Sequence, residues 1–193
     1  MLNRWGREIG EPLSWILGIL VSIISIIKIY NLFNIKVYFS GGFLGIIIGF
    51  VLHELAHRNT ARRYGLSTEF IAYTPGLILT FLSGFIPGII LLVPGYVKTT
   101  VYRYVPKLEK ALFYSVAAGP ATNIGLSAAT RLLASIVGGH SLHAFLVDFS
   151  TINAWMAFFN LLPVPPLDGS KIISLNKPIW AVMIVASLLL FVF

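Results

Sequence analysis

Long apolar stretches separated by short polar segments dominate the pattern along this chain. Four of them approach the roughly 20 residues that a helix needs to cross the hydrocarbon of a bilayer, and they are residues 13–33, 41–57, 111–137 and 143–162. A fifth stretch, residues 178–193, is shorter and begins with a proline, which suits the first turn of a helix. The pattern therefore predicts an all-α polytopic membrane protein with about five to six transmembrane helices.

The segment between the second and third stretches has a different pattern. Residues 70–97 are apolar but are broken by Pro75, Pro87, Pro94 and several glycines. Such a density of helix breakers argues against one continuous helix. We predict a membrane-associated re-entrant or β-hairpin segment here, covered by protein because backbone polar groups in a bilayer need partners.

Composition agrees with a lipid bilayer as the surroundings. Only 11% of the residues are charged and 57% are hydrophobic, whereas soluble domains have about 25% charged residues. The absence of cysteine excludes disulfides and thiolate metal ligands. The net charge of +7 does not indicate a nucleic-acid partner, because the basic residues lie between apolar stretches and form no continuous patch.

The positions of lysine and arginine predict the orientation in the membrane. These residues collect in short cytoplasmic flanks, and here they follow the second stretch, precede the third and fifth, and occur as Arg4 and Arg7 near the N-terminus. The first apolar stretch is too long for a cleaved signal peptide and is expected to be retained. We predict a multi-pass protein of the cell membrane with a cytoplasmic N-terminus.

A possible metal motif, His53-Glu54-Leu55-Ala56-His57, lies near the cytoplasmic end of the second stretch. His53 and His57 are four residues apart, so they occupy one face of a helix and can share a metal ion. Glu54 is turned by about 100°, which lets it stay off the metal and act as a general base. In a soluble protein this could be a chance match, but a carboxylate at membrane depth is costly and points to function.

Three glycines continue the spacing of the two histidines toward the N-terminus. Gly41, Gly45 and Gly49 precede His53 and His57 at intervals of four residues. Glycine on one face of a membrane helix permits close approach of a neighbouring helix. We therefore expect this stripe to serve packing and to direct the histidines inward.

A catalytic zinc site usually has three protein ligands and one open position for water. The candidates for the third ligand are Asp168, Asp148, Glu69, Glu109, His140 and His143. Asp168 follows a proline-rich segment, residues 163–166, that ends the fourth stretch on the side of the two histidines. Irregular backbone at this depth must be buried in protein or line a cavity, which suits a metal site with access to water.

Several motifs together resemble the site-2 protease family of intramembrane zinc metalloproteases. The motif of residues 53–57 is followed by Asn160, Pro163 and Leu167-Asp168-Gly169, while Gly119-Pro120 with Asn123 resembles a motif on the third core helix of that family. Pro94-Gly95 resembles the archaeal members, and no segment is long enough for an inserted PDZ domain. The resemblance covers about residues 41–169, the core of a single intramembrane metalloprotease domain over residues 1–193.

The resemblance implies a function and a role for each site residue. One Zn²⁺ would be held by His53, His57 and Asp168, with Glu54 as the catalytic base. Asn160 would contact the substrate backbone or the developing oxyanion, and Asn123 either shares such a role or makes an interhelical hydrogen bond. The implied substrate is the transmembrane segment of another protein, such as a membrane-tethered regulator. A catalytically silent family member and a metal-transporting membrane protein are the alternatives.

Two other pairs of residues lead to smaller hypotheses. His140 and His143 bracket a short outer loop and are weak evidence for a second metal site. Arg131 and Asp148 lie at similar distances from the ends of their predicted spans. We predict that these two form an ion pair between the third and fourth spans.

Overall fold

The computed structural model describes residues 10–102 and 104–193, in which the chain is mostly helical. Arg4, Arg7 and Arg103 lie outside the described residues. The α-helices are α1 (Glu11–Ile27), α2 (Gly41–Arg63), α3 (Thr74–Ser83), α4 (Leu108–Ile136), α5 (His140–Asn160), α6 (Asp168–Leu175) and α7 (Lys177–Val192). Short 3-10 helices span Ile29–Asn31 and Ile35–Phe39, and strands β1 (Ser67–Ala72) and β2 (Gly95–Thr100) form a two-stranded sheet.

The chain divides into two compact units, of which the first contains residues up to Leu32 and Glu69–Lys98. In this unit α1 packs against α3. Lys28 ends α1 with a φ of 65° and donates from its ammonium to the carbonyl oxygens of Ser83, at 2.9 Å, and Ile89. Ser25 and Ser83 share a hydrogen bond between their hydroxyls at 2.7 Å. These contacts attach the end of α1 to the end of α3.

The segment of residues 70–97 differs from the prediction. Two strands are present, but α3 lies between them, so they do not form a simple hairpin. Pro75 lies in the first turn of α3 and Gly84 is its C-cap. Proline is tolerated in the first turn because the N–H that it lacks would have no helical partner there. Two of the residues taken as breakers, Pro75 and Gly84, therefore mark the ends of a short helix.

The second unit contains Phe33–Thr68 and Thr99–Phe193, and its centre is formed by α2, α4 and α5. The glycine stripe of α2 faces α5, as predicted. A Cβ atom on Gly41 would overlap the backbone of Phe145, and one on Gly45 would lie 2.6 Å from the Cγ2 atom of Ile152. The glycines thus allow α5 to approach α2 more closely than any larger residue would permit.

Polar side chains lie inside both units, while large apolar side chains cover much of the outside. Exposed apolar residues include Leu13, Ile16, Leu20, Ile78, Leu82, Leu132, Ile136, Val182, Val185 and Leu189. Fully or almost fully buried polar residues include Ser14, Ser22, Ser25, Ser115, Asn123, Ser127, Ser150, Asn153 and Ser187. This arrangement is typical of helices that pack through small and polar residues in lipid.

Among the described residues, one helix, α5, has both the length and the apolar composition expected of a membrane span. α1, α3 and α7 are apolar but shorter. With 23 residues α2 is long enough for a membrane span, but its polar site residues interrupt its apolar run. The predicted number of five to six spans stays a prediction.

Candidate metal centre

Three of the predicted site residues converge at one point in the second unit. His53 and His57 project from the same face of α2, and Asp168 is the first residue of α6. The Nε2 atoms of the two histidines are 3.0 Å apart, and Asp168 Oδ2 lies 3.2 Å from the first and 3.1 Å from the second. Donor atoms in tetrahedral zinc sites lie about 3.3 Å apart, given bonds of about 2.0–2.2 Å. The triangle therefore has the size that a zinc ion requires.

The outer nitrogen atoms of both rings are held by acceptors. His57 Nδ1 donates to the carbonyl oxygen of Ser115 at 2.7 Å, and His53 Nδ1 lies 2.5 Å from Asn123 Oδ1. A carbonyl oxygen can only accept, so the Nδ1 atoms bear hydrogen and neutral rings present bare lone pairs at Nε2. Two lone pairs and a carboxylate oxygen then face one another at about 3 Å, an arrangement that attracts a cation.

Gly119 of α4 packs directly against the ends of both imidazole rings. A Cβ atom built on Gly119 would overlap His57 Nε2 and would lie 2.6 Å from His53 Nε2. Any larger residue would enter the space beside the ligand triangle or displace the two rings. The absence of a side chain at this position therefore lets α4 lie against the two histidines without displacing their ligand atoms.

Glu54 is buried within α2, with 7% of its surface exposed. Its Oε2 atom is buried and has no hydrogen-bond partner within the described part of the chain. A buried carboxylate oxygen without a partner is costly. A water molecule brought in with a metal ion would supply that partner.

The segment that carries Asp168 is held in position by contacts with the turn after α5. The chain turns after α5, and the indole of Trp180 in α7 donates to the carbonyl oxygen of Leu161 at 2.8 Å. Gly169 packs so closely on this turn that a Cβ atom would overlap the backbone of Leu161. The third ligand thus depends on the turn after α5 and on its attachment to α7.

The two asparagines named from the sequence have different positions. Asn123 is fully buried and contacts His53 directly through its Oδ1 atom. Asn160 is the last residue of α5, is partly buried, and donates from Nδ2 back to the carbonyl oxygen of Met156 at 3.0 Å. The structure therefore brings Asn123 to the ligands, while the hydrogen bond of Asn160 stays within its own helix.

Sequence reasoning missed three contributors to the site. Ser115 contacts His57 through its main-chain carbonyl oxygen, for which a sequence contains no signal. Gly119 was noted only as part of a glycine-proline motif, although its lack of a side chain lets α4 pack against both ligand rings. Asn153 hydrogen-bonds to Asn123 and could have been noticed as a polar residue two turns before Asn160 in an apolar helix.

The remaining sequence hypotheses find less support. Among residues 10–102 and 104–193, the three-ligand cluster is His53, His57 and Asp168. His140 is exposed, and His143 Nδ1 bonds to the carbonyl oxygen of Ala134 at 2.9 Å. No second metal cluster is found in this part of the chain.

The predicted ion pair of Arg131 with Asp148 is wrong. Arg131 Nη2 donates to Thr151 Oγ1 and to the carbonyl oxygen of Leu190, both at 3.2 Å. Asp148 is exposed on α5. Neutral acceptors on α5 and α7 thus take the place of the carboxylate.

Comparison with known proteins places the chain among zinc metalloproteases. A protein of Methanocaldococcus jannaschii, provisionally named a zinc metalloprotease, is 37% identical over 169 residues, which cover 86% of each chain. A similarly named protein of Mycobacterium tuberculosis is 32% identical over 138 residues, covering 69% of this chain and 30% of that protein. One from Bacillus subtilis is 31% identical over 152 residues, covering 66% of this chain and 65% of that protein.

No protein-family model matches the chain, and no solved structure matches it. The match to the M. jannaschii protein nevertheless extends over most of both chains. The protein belongs to the family of these zinc metalloproteases.

Proposed function

We propose that this protein is an intramembrane zinc endopeptidase of the site-2 protease type, which hydrolyses peptide bonds in transmembrane segments of other proteins. The names of its relatives support a zinc metalloprotease. The resemblance of residues 41–169 to site-2 proteases supports the more specific activity. In this proposal the domain comprises residues 1–193, with its catalytic core in residues 41–169.

The observation that best supports this function is the convergence of three ligand atoms beside a buried carboxylate, that of Glu54. The lone pairs of His53 and His57 and the Asp168 oxygen face a common point, and Glu54 Oε2 has no hydrogen-bond partner among residues 10–102 and 104–193. A purely structural role would leave the buried Glu54 oxygen unsatisfied. A hydrolytic zinc site needs this combination of three ligands and a nearby base.

Each site residue has a role in the proposed reaction. Zinc, when bound by His53, His57 and Asp168, would polarise the scissile carbonyl group and lower the pKa of its water. Glu54 would accept a proton from that water and later pass a proton to the leaving amine. Asn160 would orient the substrate backbone or stabilise negative charge on the carbonyl oxygen.

The outer surface supports a location in the cell membrane. Large apolar side chains are exposed on α1, α4 and α7, while serines and asparagines are buried. We propose five to six membrane-spanning helices, with β1, α3 and β2 as a membrane-associated segment. The basic residues after α2 and before α4 support a cytoplasmic location of the N-terminus and of the active-site side.

The proposed substrate is a transmembrane protein, such as a membrane-tethered regulator. A helix in lipid satisfies its backbone groups internally and shields its peptide bonds. The substrate therefore has to unwind locally before a peptide bond reaches Glu54. No feature of the charge pattern calls for a nucleic-acid partner.

The substitution Glu54→Gln tests this function against its alternatives. We expect E54Q to retain one zinc per chain and to lose cleavage of a transmembrane substrate by about 10²–10⁴-fold, because the general base is removed. Zinc content, cleavage and zinc transport would be measured on protein reconstituted in liposomes. Glu109→Gln, at an exposed carboxylate in the first turn of α4, is the control and should keep full cleavage.

Other outcomes would favour the alternatives. Zinc transport that is unchanged by E54Q would indicate a metal transporter. Zinc binding without cleavage by the unmodified protein would indicate a catalytically silent member of the family.

A further inference from the structure

Asn153 is a fully buried polar residue in the middle of α5, and all its hydrogen-bonding groups have partners. Its Nδ2 atom donates to the carbonyl oxygens of Gly45 in α2 and Phe149 in α5, both at 3.0 Å. Because main-chain carbonyl oxygens can only accept, these two bonds fix which end of the amide is nitrogen. The Oδ1 atom of Asn153 is therefore directed at Asn123.

Hydrogen bonds of Asn123 in α4 connect the oriented amide of Asn153 to the metal site. Its Nδ2 atom donates to Asn153 Oδ1 at 2.9 Å and to the carbonyl oxygen of Gly49 at 3.3 Å. Its Oδ1 atom therefore faces His53 Nδ1, which lies 2.5 Å away. An amide oxygen only accepts, so the hydrogen of the neutral ring is held on Nδ1 and the lone pair of Nε2 is free for a metal.

We propose that Asn153 is a positioning residue of the metal site, which fixes the amide of Asn123 and through it the tautomer and ring orientation of His53. This inference rests on the proposed zinc site. Without Asn153, the NH₂ group of Asn123 would keep only the longer bond to Gly49, and the amide could turn over. Its NH₂ group would then face His53 Nδ1 and favour the tautomer with hydrogen on Nε2.

The two histidines differ in how they are supported. His57 Nδ1 donates to the main-chain carbonyl oxygen of Ser115, and the Ser115 hydroxyl donates back to the carbonyl oxygen of His57 at 3.2 Å. The acceptor for the His57 ring is therefore a main-chain atom of α4, which cannot turn over as an amide side chain can. The orientation of His53 depends on two side-chain amides, so the loss of Asn153 acts on His53 in particular.

The experiment compares Asn153→Ala, Asn123→Ala and the double variant of the full chain in detergent. Zinc affinity would be measured by competition with a chelator, starting from metal-free protein. We expect N153A to weaken zinc binding about tenfold and N123A by about 10–100-fold, as for other residues that orient metal ligands. In the N123A background, N153A should have no further effect, because no amide is left to orient.

Ser150→Ala is the matched control. Ser150 also lies on the buried face of α5 and bonds to α4, with its hydroxyl 3.0 Å from that of Ser127. S150A removes a contact between the same two helices without touching the histidines, so its zinc affinity should match that of the unmodified protein. The visible absorption bands of Co²⁺-loaded protein, which report the ligand field, should shift in N153A and stay in place in S150A.

Specific outcomes would overturn the proposal. Unchanged zinc affinity in N153A, an equal loss in S150A, or an undiminished effect of N153A in the N123A background would each show that Asn153 does not position His53. If N153A does not fold, Asn153→Ser provides the same test, because its hydroxyl can bond to Phe149 but cannot reach Asn123. Failure of the unmodified protein to bind zinc would instead overturn the metal site, and this inference with it.

Discussion

At the scale of single residues, the site depends on a glycine, Gly119, which has no side chain. Gly119 faces the Nε2 atoms of His53 and His57, and its lack of a Cβ atom lets α4 approach both rings without displacing these ligand atoms. The ring ends could move away from an added methyl group, but the ligand atoms would move with them. The geometry needed for zinc is therefore incompatible with any other residue at this position.

We expect Gly119→Ala to weaken zinc binding at least about 100-fold, because the methyl group occupies the metal position or displaces both ligands. Gly125→Ala is the control in the same helix, since Gly125 is exposed and has no atom near its Cβ position. G125A should keep zinc and gain up to about 1 kcal/mol of stability from helix propensity. Zinc per chain and thermal unfolding in detergent measure both effects. Normal zinc binding by G119A would contradict this account.

The sequence predicted the residues whose chemistry is distinctive. Spacing alone placed His53 and His57 on one face, and the proline-rich segment before Asp168 suggested how it could reach them. The structure places these three together, and their role as ligands stays a prediction. The contribution of Ser115 could not be predicted, because any residue offers a carbonyl oxygen and only tertiary packing selects one.

At the scale of elements, the glycine stripe sets the distance between α2 and α5. Gly41 and Gly45 lie directly against the backbone of α5 near Phe145 and Phe149. Backbone atoms cannot rotate away as a side chain can, so an added methyl group forces the helices apart. The register of α2 against α5 also determines whether Asn153 reaches the main chain of Gly45.

We expect Gly41→Ala to destabilise the protein by about 1–3 kcal/mol, the usual cost of overpacking. Gly42→Ala is the neighbouring control, since no atom lies within 4 Å of its Cβ position. Thermal unfolding in the same detergent should show a lower midpoint for G41A and an equal or higher one for G42A. Equal midpoints for the two variants would mean that α5 does not pack on this face.

The helices were easier to predict than the segment between them. The apolar stretches correspond to α1, α2, α4, α5 and α7, with ends that differ by a few residues. α3 was missed because Pro75 and Gly84 break a helix when they lie inside it but are favourable at its ends. Sequence composition does not distinguish these two cases when a helix has only 10 residues.

At the scale of the whole molecule, the predicted orientation can be tested without removing native thiols, because the chain has no cysteine. Ser67 follows α2 and Ser141 lies near the start of α5, and both are exposed. With the site facing the cytoplasm, Ser141→Cys should react with a membrane-impermeant thiol reagent on intact cells. Ser67→Cys should react only after the membrane is opened, and both should react equally in detergent. The reverse pattern would invert the proposed topology.

Electroneutrality of the buried centre follows from its set of donors. Two neutral imidazoles and the Asp168 carboxylate would leave a divalent ion with one unbalanced positive charge, and the carboxylate of Glu54 would cancel it. An isolated charge is costly in a medium of low dielectric constant, so the net charge of the ion and its surrounding groups decides whether the centre needs an outside counterion. Among the described residues of the second unit, the buried ionisable side chains are His53, Glu54 and His57. The other buried polar side chains of this unit belong to serines, asparagines and one threonine, which contribute no net charge.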